Sequence, residues 1–153
     1  MPGVSRSSIF APSGVANCCP AVTKATATEF ELVNPSKQSN FITGELVGSG
    51  QVSFIVENLP KDGTGCPGKW LFDEMLKHFA SSVTAIQGFW TGPLSDNLTE
   101  LNRLTSAGMT VEAGARGTWT GKRAAVWGYN KVQVVSSVGT TGVYSKVHVL
   151  FSK

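Results

Sequence analysis

The sequence predicts an α+β fold with a mixed central sheet, and three observations carry that prediction. Apolar and polar residues alternate with period two in three short runs between residues 29 and 59. The period changes to the helical one over Leu71, Phe72, Met75, Leu76 and Phe79. Alternation then returns after residue 130. With 153 residues, 41% hydrophobic and 15% charged, the chain is long enough to bury its own core and too apolar to be wholly disordered. No apolar run approaches the ~20 residues a membrane span needs.

Residues 1–27 are rich in Ser, Ala, Pro, Gly and Thr and hold no sustained period, so they read as a disordered leader or linker. A single α+β catalytic-type domain is expected over 28–153. Glu29-Phe30-Glu31-Leu32-Val33 alternates and stops at Asn34-Pro35, the mark of a strand and turn. Residues 41–47 form a second strand, closed by Gly48-Ser49-Gly50, and 51–59 a third that pairs back on it as a hairpin. Asp73, Glu74, Lys77 and His78 take the polar side of the helix that follows. Residues 83–90 are short and apolar, a buried strand reached by a crossover of parallel type. Asn97 and Glu100 resemble a capping pair ahead of Leu98, Leu101 and Leu104, and Gly108 ends that helix. Thr110 caps a short turn, and Thr120 caps a last helix over 122–127. Strands at 131–135 and 143–151 complete the order β-β-β-α-β-α-α-β-β.

Cys18, Cys19 and Cys66 are odd in number, and two are adjacent. They suggest no disulfide framework and either a reducing compartment or disulfides that are irrelevant, with no role assigned to Cys18 or Cys19. No Cys/His cluster has zinc spacing, so no metal is expected. Met1 to Pro20 lacks the basic and apolar runs of a secretory signal, so action in a cytoplasm is expected, with no membrane partner.

Charge is uneven. Residues 1–112 carry seven basic and ten acidic side chains; 113–153 carry six basic side chains and no acid. Such a basic tail suits an anion: RNA, DNA or a phosphorylated cofactor. Two constellations bear chemistry. Gly63-Thr64-Gly65-Cys66-Pro67-Gly68-Lys69 has glycines spaced to let a backbone approach a pyrophosphate just ahead of a helix. At the other end Tyr144, Lys146 and His148 alternate onto one strand face, with Lys131 and Gln133 beside them. A histidine to move a proton and lysines to hold a phosphate are the minimum for metal-independent RNA cleavage. Trp90, Trp119 and Trp127 either stack a base or seal the core edge.

The order of strands and helices around the glycine segment resembles that of the GNAT family of acyl-CoA-dependent N-acyltransferases. The resemblance implies a GNAT-like sheet in which the amides of Gly63, Gly65 and Gly68 hold the pyrophosphate of acyl-CoA and Lys69 adds charge. It further implies that Glu57, near the end of the third strand, accepts a proton from an amine. Asp62 stands where that family has Gln or Arg, and Pro67 where it has Gly or Ala. A second resemblance rests on Asp96-Asn97-Leu98, Asn102-Arg103-Leu104-Thr105, Thr118-Trp119-Thr120-Gly121-Lys122 and Tyr144-Ser145-Lys146-Val147. These segments look like C-terminal effector domains of bacterial polymorphic toxins of the Rhs and filamentous-haemagglutinin types. That likeness implies an effector of bacterial competition, delivered into a target cell and neutralised by a cognate immunity protein. The residues leave the enzyme question open. An effector-type acyltransferase is the first expectation, a toxic ribonuclease acting through Tyr144, Lys146 and His148 the second. The third is a non-enzymatic module whose basic tail docks an acidic partner.

Overall fold

The computed structural model describes residues 14–153. They form an α+β protein with seven strands and four α-helices among the described residues. Two compact units divide the chain, one ending at Val83 and one running from Thr84 to Lys153.

In the first unit, β1 (Ala21–Ala25), β2 (Glu29–Val33), β3 (Asn40–Val47) and β4 (Gln51–Asn58) make an antiparallel meander in chain order. Alternation gives this sheet two unlike faces. One buries Phe30, Leu32, Ile42 and Val52. α1 (Gly68–Phe79) lays Leu71, Phe72, Met75, Leu76 and Phe79 on that face. Each such side chain contributes about 1.5–3 kcal/mol by leaving water. The helix lies so close to β3 that Gly44 fits under the Met75 thioether, where a Cβ would collide with the sulfur. The other face carries Glu29, Glu31 and Glu45, in register with Thr43 and Ser53. α1 begins after Pro67, whose fixed φ suits a helix start, and ends at Ala80 with φ 48°.

Three expectations change here. Residues 21–25, assigned to a leader, form β1 on the edge of the meander, with a bulge between Val22 and Lys24 that hides their alternation. Residues 1–13 of that leader lie outside the described residues. α1 starts three residues before Leu71, the first residue of the predicted apolar period, because Gly68 and Lys69 lie on a turn that hydrophobic period cannot register. Finally, Cys18 and Cys66 form a disulfide with Cα atoms 4.6 Å apart, across a sequence separation of 48 residues. An odd cysteine count conceals one bridge plus the exposed thiol of Cys19.

The second unit holds β5 (Ala85–Thr91), α2 (Asp96–Ser106), α3 (Val111–Gly117), α4 (Trp119–Val126), β6 (Lys131–Val138) and β7 (Lys146–Ser152). The last strand enters between β5 and β6, antiparallel to both. Ile86, Trp90, Val147, Val149 and Phe151 are buried on the side that the helices cover, α2 on β5 and α3 on β6. Ser95, Thr110 and Thr118 cap the three helices with their side-chain oxygens. The cap of α4 is therefore Thr118 rather than Thr120. Thr120 is drawn elsewhere: its N–H and hydroxyl both bond to the Asn97 amide of α2.

Candidate functional site

The glycine turn between β4 and α1 is densely bonded to its own chain. The Gly65 N–H donates to the Ala16 carbonyl at 2.8 Å, and the Cys66 N–H to Asn40 Oδ1. The Thr64 N–H and hydroxyl both donate to Asp62 Oδ1, at 3.0 and 2.6 Å. Lys37 Nζ, from the β2–β3 turn, reaches the Pro60 and Thr64 carbonyls and Asp62 Oδ1 at 2.8–3.1 Å. Beneath the turn, the buried Asn40 also donates to the Cys66 carbonyl, and Asn58 to the Thr64 carbonyl. Bonds from Thr64, followed by the nearby Lys37 ammonium, hold the Asp62 carboxyl down to about 2. Gly65 has φ 83°, and a Cβ there would lie 2.7 Å from Asn58 Oδ1 and 2.8 Å from Asn40 Oδ1. The glycines at 63 and 65 thus serve a tight bend packed against asparagines. The amides of Thr64, Gly65 and Cys66 face acceptors of this chain rather than an open cleft. The carboxylate of Asp62, which the glycine spacing did not register, fills the turn. Gly68 and exposed Lys69 begin α1.

Glu57 is half-buried on β4, paired with Phe41, and alternation puts it on the sheet face away from α1 with Ser53 and Ile55. His78 is occupied as well: its Nε2 donates to the Thr26 carbonyl at 2.6 Å, and its ring stacks on Phe30.

The second constellation lies in the Thr84–Lys153 unit, on the sheet side opposite the buried valines. Register brings Phe89 of β5 and Ser136 of β6 beside His148, and Thr91 and Val138 beside Lys146. Phe89 is 55% exposed, its ring edge-on to the His148 imidazole at 5.4 Å, with Lys146 Nζ 5.9 Å from the same ring. Gln133 and Lys131 follow on the same side of β6, opposite Leu150 and Ser152. No acid occupies any of these paired positions. His148 Nε2 is inaccessible and has no hydrogen-bond partner among the described residues. A buried polar nitrogen left unbonded costs about 1–3 kcal/mol.

Tyr144 does not belong to the strand, which begins at Lys146. Its backbone is clamped to α2 instead: Asn102 accepts from the Tyr144 N–H at 2.7 Å and donates to its carbonyl at 2.9 Å. Thr105 accepts from the Gly142 N–H. Asn97 and Asn102 are therefore braces, Asn97 between α2 and α4, and Asn102 between α2 and the chain leading into β7. The sequence reading missed Phe89. An aromatic two residues from Thr91 in an otherwise apolar strand reads as core until the strand's neighbours are known. Trp90 is core, 5% exposed and 6.3 Å from the Phe151 ring. The Arg103 guanidinium pairs with Glu100. No group of three or more metal-ligating side chains occurs among the described residues, and no described helix is long and apolar enough to cross a membrane. No family model matches the chain, and neither the curated proteins nor the solved structures contain a match.

Proposed function

We propose that the chain is a toxin-type effector enzyme that cleaves single-stranded RNA through the face shared by β5, β7 and β6. In this reading Phe89 stacks a base, Lys146 and Lys131 hold phosphates, and His148 moves the proton of the attacking 2′-hydroxyl. Tyr144 lies two residues ahead of the strand. The observation that carries the reading is the His148 imidazole set beside an exposed aromatic ring and a lysine, on a face with no acid at its paired positions. A small acidic immunity protein is the matching partner, since it would cover the cations and neutralise the activity in the producing cell. Incubation with total RNA followed by sequencing of the fragments tests it. His148→Ala is expected to cut the rate by about 10²–10⁴-fold, the usual worth of a positioned proton carrier. Cleavage that survives this change overturns the assignment.

A second reading keeps the acyl-CoA-dependent N-acyltransferase, with its GNAT-like strand order. It is favoured by the succession of an antiparallel meander, a glycine turn, a helix, a strand, further helices and two last strands. Gly63, Gly65, Gly68 and Lys69 would then hold the diphosphate and Glu57 would take the amine proton. The internal bonding of Thr64, Gly65 and Cys66 weighs against it, which is why it stands second. Calorimetric titration with acetyl-CoA decides: absence of binding at millimolar ligand removes it.

A further inference from the structure

We infer that the Cys18–Cys66 disulfide is a redox latch that holds the segment Ala16–Cys18 over the glycine turn. This inference depends on neither functional reading. Among the described residues, the segment is tied to the turn and its support by three bonds: the disulfide, the Gly65 N–H to the Ala16 carbonyl, and the Asn34 amide to the Asn17 carbonyl. Ala16 and Asn17 are themselves exposed, so little apolar burial holds them. Only the disulfide is covalent, and its loss leaves two hydrogen bonds, each of modest net worth. The latch has a direction. Cys66 is fully buried and Cys18 half-exposed, so an incoming thiolate meets Cys18 Sγ first. Cys66 lies two residues ahead of the 12-residue α1, whose N-terminal amides favour a departing thiolate.

The exchange is a two-electron reduction by a small thiol. Its thiolate bonds to Cys18 Sγ, the Sγ–Sγ bond breaks, and Cys66 leaves with the electron pair and takes a proton from water. A second thiolate attacks the reagent's sulfur, releasing Cys18 and forming the reagent's own disulfide. Freed from Cys66, the Ala16–Cys18 segment lifts and uncovers the Gly65 amide.

The test uses the full chain carrying Cys19→Ser, so that the free thiol does not interfere. Amide exchange is followed by mass spectrometry with and without glutathione. Reduction is expected to speed exchange in residues 14–20 and 63–66 by at least about tenfold more than in α1 and β3. Unchanged exchange overturns the latch. So does an equal loss of protection throughout the first unit, which would make the bridge a plain staple. Trapping of the intermediate should place glutathione on Cys18; an adduct confined to Cys66 overturns the direction. Cys18→Ser repeats the exchange measurement without reductant, and the glutathione comparison on the Cys19→Ser chain decides if that variant fails to fold.

Discussion

Asp62 shows how one side chain can replace the ligand its loop was expected to bind. Its carboxylate accepts from Thr64 and lies 3.1 Å from the Lys37 ammonium, which is almost wholly buried. The folded value, about 2, lies below the ordinary 3.8 of an aspartate. Stability from this group is therefore complete above about pH 4 and lost as pH falls through about 2. Urea unfolding of wild type and Asp62→Asn should show a constant gap at neutral and mildly acidic pH that closes toward pH 2. A gap indifferent to pH would remove the turn's carboxylate from the account. Gly44 is the other position where one atom decides. Gly44→Val puts a branched side chain against Met75 and should cost about 1–3 kcal/mol in urea denaturation, although valine suits strands better than glycine. An unchanged midpoint would mean that α1 rides freely over β3.

Among the elements, α2 organises the second unit. It buries Leu98, Leu101 and Leu104 on one side and extends Asn97 and Asn102 to neighbours that are distant in sequence. Asn102→Ala strands both backbone groups of Tyr144 and is expected to cost roughly 1–3 kcal/mol, with faster amide exchange at Tyr144. Asn102→Asp keeps the acceptor for the Tyr144 N–H and loses the donor, so it should cost less. Equal losses would place the brace elsewhere. Thr118→Ala removes the cap of α4, for about 1 kcal/mol. The last strand depends on these contacts, since it is framed by β5 and β6 and delivered by the segment that α2 clamps.

For the molecule as a whole, two features matter: where charge sits and what crosslinks the chain. The unit from Thr84 to Lys153 carries seven basic and three acidic side chains, and its open sheet face presents Lys131 and Lys146 without an acid. Binding of a single-stranded oligonucleotide should weaken with salt by about 0.7 log units per log unit for each phosphate contact, and Lys146→Gln should remove about one such step. A slope unchanged by that substitution would detach Lys146 from the anion site. In the first unit, closing a loop of 48 residues restricts the unfolded chain by roughly 4 kcal/mol on the chain-entropy model. Reduction should lower its urea midpoint accordingly, and no shift would mean that the bridge constrains little.

The sequence by itself determined the α+β class, the strands β2 to β5 and both amphipathic helices, because their apolar residues recur at the periods of the elements they form. It also placed Lys146 and His148 on one face of their strand, and Lys131 and Gln133 on one face of theirs, since alternation along a strand is a local property. Tertiary structure decided the rest. A bulge hid the alternation of β1, and Cys18 finds Cys66 only through the packing of the meander. Tyr144 leaves the strand because Asn102 holds its backbone. The glycine spacing was legible, but whether its amides face solvent or the chain's own carbonyls depends on residues far away in sequence. Periodicity reports the face a residue takes; it carries no information about which distant group arrives opposite.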